Sequence, residues 1–410
     1  MLGISRWAGE NGSYRTVQRF FNTSIAWSKV HWCLIRHCFL DADDTSILAG
    51  DETVVTKSGK KTHGLDRFFS SLYGKAVPGL SFFTFSIIST KRRTSFPLMT
   101  QQMIHSKEET SAENLISIEQ SKKDNNKSKP KKKNNPGRPK GSKNKNRENV
   151  DLSKQLCLIQ NMLKKIQQLI GSDISLIYTV FDGAFGHNNA LQMVRRCGMH
   201  LISKLQHNSA LYFPYEGTYS GRGARKKYGD RINYHNIPEK YLKETTREKS
   251  VQTHIYQITM LHKLFAQKLN VVIIVKTNLK NQARDYVILF SSDLDLAFSK
   301  LIDYYKLRFQ IEFNFRDAKQ YWGLEDFMNV KETPVTNAAN LAFFMVNLSQ
   351  ALIANVNLHN LLFGVQDLKA YFRGRKYVDE TLKLLSQKPD PILIQQIFDQ
   401  ITKIGGVNTS

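Results

Sequence analysis

Apolar residues recur at Leu152, Leu156, Ile159, Leu163, Ile166 and Ile170, the three-and-four spacing of a helix with one buried face. Gly171 follows and predicts its end. Elsewhere the period shortens. SILAGDETVVTK (46–57), LSFFTFSIIST (80–90) and SFPLMTQQMI (95–104) predict three strands, near enough in sequence to pair as an antiparallel meander. After the long helix, DISLIYTVFDGAFG predicts a buried strand ending at Asp182, NNALQMVRRCG a helix and MHLISKL another strand. Three strands, helix, strand, helix, strand describes an α/β sheet whose later strands are joined by helical crossovers. Residues 1–45 predict short helices. Residues 206–295 predict a β-rich insertion carrying VQTHIYQITML, LNVVIIVKT and DYVILFSS. Residues 296–330 form a late core helix, and residues 331–410 predict a helical C-terminal region. The core thus runs over 46–205, interrupted by a polar insert at 105–150, and no internal repeat is visible.

The late helix is unusual. YYKLRFQIEFNFRDAKQYWG (304–323) has no Gly or Pro until its end and predicts one unbroken helix. At roughly 100° per residue, Tyr305, Arg308, Glu312 and Lys319 share a stripe about 60° wide. Leu307, Ile311, Phe315 and Trp322 flank it on one side, Ile302, Phe309 and Phe313 on the other. Lys306, Gln310, Asn314 and Asp317 are expected to face solvent. A carboxylate beside an Arg, wedged between faces that seek burial, points to a cleft. The competing reading is an Arg308–Glu312 ion pair at i, i+4 spacing.

Charge narrows the partners. The 410 residues carry a net charge of +24, which favours nucleic acid or another anionic surface. Residues 121–147 hold twelve Lys or Arg against one Asp and no aliphatic or aromatic side chain, so the segment is expected to be disordered when free. Its net +11 leaves +13 on the remainder. Within it, PGRPKGSK resembles an AT-hook, whose Gly-Arg-Pro core enters A·T minor grooves; Arg138 and Lys140 become candidate DNA contacts, although Pro136 stands where such hooks carry Arg. The alternative is a nonspecific basic linker. The four cysteines are few and scattered, consistent with a reducing cytoplasm. His31, Cys33, His37 and Cys38 crowd together, but in a helical, aromatic setting with no second ligand pair. No apolar run marks a signal peptide. LAFFMVNLSQALIANV (341–356) is broken by Asn347, Ser349, Gln350 and Asn355 and predicts a buried helix rather than a membrane span. SGKKT lacks the spacing of a phosphate-binding loop.

Three carboxylates occupy strategic places. Asp51 lies in the first strand, Asp182 ends the buried strand before Gly183, and Glu312 lies on the late helix. Ligands of α/β sheets gather at the carboxyl ends of strands. Hard carboxylate oxygens suit Mg²⁺, and two such ions clamp the attacking and leaving oxygens of an in-line phosphoryl displacement. Each Asp alone is as readily a turn or cap residue.

The spacing Tyr305-x2-Arg308-x3-Glu312-x6-Lys319 resembles the Tyr-Arg-Glu-Lys signature of a group of bacterial insertion-sequence DDE transposases. GDETVVTKSGKKTHGLDRFFSS and FDGAFG look like the blocks around their first and second Asp, and the resemblance covers roughly residues 40–330. It implies an α/β ribonuclease-H-like core with a β-rich insertion domain, a short helical N-terminal segment and a helical C-terminal region. It also implies that Asp51, Asp182 and Glu312 hold two Mg²⁺ ions, which Mn²⁺ can replace, and that Tyr305, Arg308 and Lys319 contact DNA phosphates near the cleaved end. The implied activity is cleavage at element ends and strand transfer into target DNA by a homodimer on paired ends, in the cytoplasm and away from membranes. Members of the group carry a longer helical DNA-binding region before the first Asp, so truncation at the N-terminus is expected. A decayed transposase that only binds DNA and a ribonuclease-H-like nuclease of other substrate are the rival readings.

Overall fold

Strand β1 (Ser46–Thr56) pairs antiparallel with β3 (Lys75–Ser89) on one side and parallel with β5 (Tyr178–Val180) on the other. In this computed structural model, which describes residues 2–8, 12–41, 43–70, 73–104, 147–219, 221, 223–356, 364–387, 389–402, 404, 406 and 407, that junction organises the chain. β3 also pairs antiparallel with β2 (Asp66–Ser70) and β4 (Thr94–Met103), and β5 pairs parallel with β6 (His200–Lys204). The expected meander forms, with β2 an additional strand that five residues of weak pattern concealed. Antiparallel strands followed by two parallel ones, joined through helices, make a ribonuclease-H-like core. Basic segment 105–146, with Arg138 and Lys140, lies outside the described residues.

The strands after β6 continue the same sheet rather than building a second one. β12 (Arg284–Ser291) pairs antiparallel with β6, and β11 (Lys268–Asn278), β10 (Val251–His262), β7 (Leu211–Pro214) and β8 (Tyr228–Arg231) follow outward, with β9 (Leu242–Glu248) also on β10. A large mixed sheet results, with helices from both chain ends packed on it.

Helices cover both faces. On one, α3 (Trp27–Cys38), α4 (Lys154–Ile170) and α5 (Asn188–Arg195) pack against Leu48, Phe83, Phe85 and Phe181. Ser153 caps α4 by accepting the Leu156 amide at 3.3 Å, and Gly171 ends it with a positive φ of 58°. On the other face, α6 (Phe298–Leu307), α7 (Gln310–Tyr321) and α8 (Glu332–Val356) pack against Ile47, Ala49, Val55, Phe82 and Val180. Strand side chains alternate, so Asp51, in step with Ile47 and Ala49, points to the α6–α7 side. Asp182, in step with Val180, continues on that side. α8 is long and apolar enough by composition to cross a bilayer, yet Val335, Ala339, Ala342, Phe343 and Val346 are buried in this core.

The polar interruptions of α8 are fasteners. Asn337 accepts the Trp27 indole N–H at 2.8 Å and donates to the Phe21 and Thr23 carbonyls, each at 2.8 Å. Asn347 donates to the Pro97 carbonyl at 2.7 Å and lies 3.1 Å from Nδ1 of buried His31. These bonds tie α3 and the end of α2 (Tyr14–Asn22), which follows the short α1 (Leu2–Ala8), to the core helix. Burial lowers the His31 pKa to about 4, so the ring is neutral at pH 7. Beyond α8, α9 (Val365–Leu384) and α10 (Pro391–Ile401) complete the described C-terminal helices.

Candidate active site

The predicted single helix at 304–323 is two helices. α6 ends at Leu307 and α7 begins at Gln310. Across the joint the backbone tightens: Phe309 N–H bonds to Lys306 O, Ile311 to Arg308 O and Glu312 to Phe309 O, each at 3.1 Å. These three-residue bonds overwind the chain, and that shifts the faces. Phe309 and Phe313, expected to be buried, are exposed. Asn314, expected to face solvent, is buried and donates to Ser95 Oγ at 2.5 Å. The absence of Gly and Pro gave no signal of the joint, because it needs neither.

Arg308 sits at the joint and reaches the sheet. Its Nη1 lies 3.0 Å from Asp51 Oδ2 and its Nη2 lies 3.2 Å from Glu312 Oε1. The i, i+4 pair is therefore real, but it is half of a bridge from helix to strand. The Arg308 side chain is 13% exposed, Asp51 22% and Glu312 41%. Arg308 also lies over the Tyr305 ring, 5.9 Å from its centroid, while its buried Nε finds no acceptor.

Each Asp is held by local backbone. Asp51 Oδ1 accepts the Glu52 amide at 2.8 Å. Asp182 caps the short 3₁₀ turn Gly183–Phe185, with Oδ1 accepting the Ala184 amide at 3.1 Å, and its carbonyl accepts Ser203 Oγ–H at 2.6 Å. Gly50, which the sequence reading passed over, sets the floor beneath Asp51. A Cβ there would lie 2.4 Å from the Phe181 ring and 2.8 Å from Phe85, so only glycine lets those rings close under the strand. The signal was a glycine inside an apolar strand immediately before a carboxylate.

Burial pushes the Asp51 carboxyl up to about 6, the Glu52 amide and Arg308 pull it down, and the Asp182 and Glu312 charges raise it further. Burial likewise raises the Tyr305 phenol, with Arg308, Asp182 and Asp51 in electrostatic reach. Asp51, Asp182, Glu312, Tyr305 and Arg308 therefore share one neighbourhood. Lys319 stands apart. Its Nζ donates to Val54 O at 2.7 Å and pairs with Glu325 at 3.3 Å. Val54 is three strand residues from Asp51, about 10 Å away. Lys57 strengthens that corner by donating to the Glu325 and Phe327 carbonyls.

The donor chemistry fits a hard divalent cation: three carboxylates from three separate segments, one of them raised by burial first and by the other two carboxylates after it. The geometry is not that of a closed ligand set. Among the described residues no group of three or more His, Cys, Asp or Glu is close enough to hold a metal ion, and the Arg308 guanidinium contacts both Asp51 and Glu312.

The ribonuclease-H-like sheet thus carries acidic side chains on β1, after the end of its parallel neighbour β5 and on α7. A family model described as DDE superfamily endonuclease matches residues 1–264, and the chain belongs to that family. The match includes Asp51 and Asp182 and ends before Glu312. No curated protein matches the chain.

Proposed function

We propose that the protein is a DNA transposase, with Asp51, Asp182 and Glu312 as its catalytic carboxylates. The observation that carries the reading is the Arg308 bridge, which spans 257 residues of sequence to Asp51 and links it to Glu312, while Asp182 adds its charge to the same site. Membership of an endonuclease family supports DNA as substrate, and so does the net charge of +24.

Asp51, Asp182 and Glu312 would hold divalent cations, Mg²⁺ or Mn²⁺, which when bound activate water and stabilise the charge of an in-line displacement at phosphorus. The chain's own groups do the rest. Arg308 holds the carboxylates at rest, and its guanidinium would be able to meet a phosphate through two parallel bonds. Tyr305 orients it from beneath. Lys319 fixes α7 along β1 and supplies positive charge for the strand beyond the cut. On this reading the Tyr305–Arg308–Glu312–Lys319 stripe marks the Tyr-Arg-Glu-Lys group of insertion-sequence enzymes. Residues 206–295 serve as its insertion, and two copies work on paired ends within the cytoplasm. Arg138 and Lys140 add nonspecific affinity.

One observation favours a second reading, a DNA-binding protein without catalysis: Arg308 already pairs with two of the three carboxylates. The two separate on incubation of the purified protein with duplexes taken from the flanks of its own coding region. Mg²⁺-dependent nicking at a defined position, absent in EDTA, is expected of the transposase; tight binding with no nicking in Mg²⁺ or Mn²⁺ is expected of the binder.

A further inference from the structure

Far from the carboxylates, the outer edge of the sheet carries a different chemistry. β7 and β8 form a hairpin whose last strand, β8, ends the strand order. β8 is six strand positions from β5, roughly 30 Å at the usual strand spacing. At this edge cations sit on tyrosine rings. Arg225 lies 5.2 Å from the Tyr219 centroid, Lys226 4.7 Å from Tyr215 and Lys240 4.9 Å from Tyr241. Tyr215 is 38% and Tyr219 47% exposed.

The rings wall two adjoining cavities. One, of about 450 Å³, is lined by Tyr215, Tyr219, Arg225 and Lys226. The other, of about 320 Å³, shares Tyr215 and Lys226 and adds Lys240 and Tyr241. Both fall in the range of small-ligand pockets, about 300–1,000 Å³. The sequence from Tyr212 to Tyr241 holds six Lys or Arg against three Asp or Glu, so the edge is cationic despite Glu216 and Asp230 beside the smaller cavity.

We infer that this hairpin edge binds single-stranded DNA, with unstacked bases entering the two cavities against Tyr215 and Tyr219 while Arg225, Lys226 and Lys240 meet the phosphates. The inference rests on the proposed action on DNA and adds a second contact site, distant from the cleft. Aromatic platforms interleaved with cations are the two components of sequence-tolerant single-strand binding. A duplex would use the cations alone, since its bases are stacked and cannot enter a cavity. Stabilisation of the hairpin is too small a role: exposed cation–ring pairs contribute only about 0.5–1 kcal/mol each, and Tyr215 and Tyr219 both stay exposed.

The test uses the full chain in EDTA, so that nothing is cut, with fluorescently labelled oligothymidylate and a duplex of equal length. Tyr215→Leu/Tyr219→Leu should lower single-strand affinity by about tenfold per ring and leave duplex affinity within about twofold. Tyr215→Phe/Tyr219→Phe keeps the stacking faces and should retain single-strand affinity. An equal loss for both DNA forms overturns the inference, as does a Phe variant as weak as the Leu one, since Tyr219 Oη–H also bonds to Gly223 O at 2.7 Å and shapes the hairpin. A parent that binds duplex but not single strand overturns it and leaves the transposase reading standing. A parent that binds neither removes both.

Discussion

Removing the Arg308 guanidinium tests whether the bridge is a restrained charge cluster or a surface ornament. Arg308→Ala leaves Asp51, 22% exposed, facing two further carboxylates with no counter-charge. At an effective dielectric near 20, two unit charges 4 Å apart interact by about 4 kcal/mol. Breaking a buried pair by deleting one partner costs about 3–5 kcal/mol. Since Glu312 keeps 41% exposure, the lower end applies, and a loss of about 3 kcal/mol is expected at pH 7.5 without divalent ions. That is more than a hundredfold in the folding equilibrium. Urea unfolding followed by circular dichroism measures it.

Two companions make the test specific. Asp51→Asn in the Arg308→Ala background removes the stranded charge, so the double variant should recover most of the loss, a coupling expected only of groups in contact. Excess Mg²⁺ should also narrow the gap between Arg308→Ala and the parent, because the ion replaces the missing cation and binds only the folded chain. A loss below about 0.5 kcal/mol, the scale of an exposed helical pair, would refute the reasoning. So would a double variant no more stable than Arg308→Ala.

Other outcomes follow from single positions. His31 is buried with its pKa lowered to about 4 from 6.5, so the unfolded chain takes up a proton between those values before the folded one does. Stability is therefore full above pH 6.5 and falls as pH drops toward 4, by about 3 kcal/mol relative to His31→Gln; parallel pH–stability curves for the two proteins would contradict this. Gly50→Ala drives a methyl into the Phe181 and Phe85 rings and should cost about 1–3 kcal/mol, with nicking reduced further because Phe181 adjoins Asp182. A Gly50→Ala protein with the parent's melting temperature would show that the rings yield freely.

Much of the fold was legible because strand and helix periods are strong where one face is buried. β1, β3, β4, α4, α5 and the long strands β10, β11 and β12 follow directly from that pattern. β2 escaped because DRFFS is short and alternates weakly. The continuity of the insertion with the core sheet could not be read at all, since pairing of β12 with β6 is a long-range choice that no local pattern encodes. At the site, the stripe of Tyr305, Arg308 and Glu312 was visible from helical spacing, but an ideal helix assigned Phe309, Phe313 and Asn314 to the wrong faces. A two-residue tightening at Arg308–Phe309 suffices to rotate them. Arg308's second partner, Asp51, was likewise invisible, because spacing reports neighbours along a helix and not across to a strand.

The central claim is that Glu312 acts in chemistry rather than in folding. Glu312→Gln preserves shape and keeps an acceptor near Arg308 while removing the charge a cation needs. The direct measurement is Mg²⁺-dependent nicking of a labelled end duplex by the parent and Glu312→Gln proteins, with duplex affinity and melting temperature recorded on the same preparations. The account predicts that Glu312→Gln melts near the parent, binds duplex as well or better because a negative charge near phosphate is gone, and does not nick. A Glu312→Gln protein that nicks at the parent rate would contradict it.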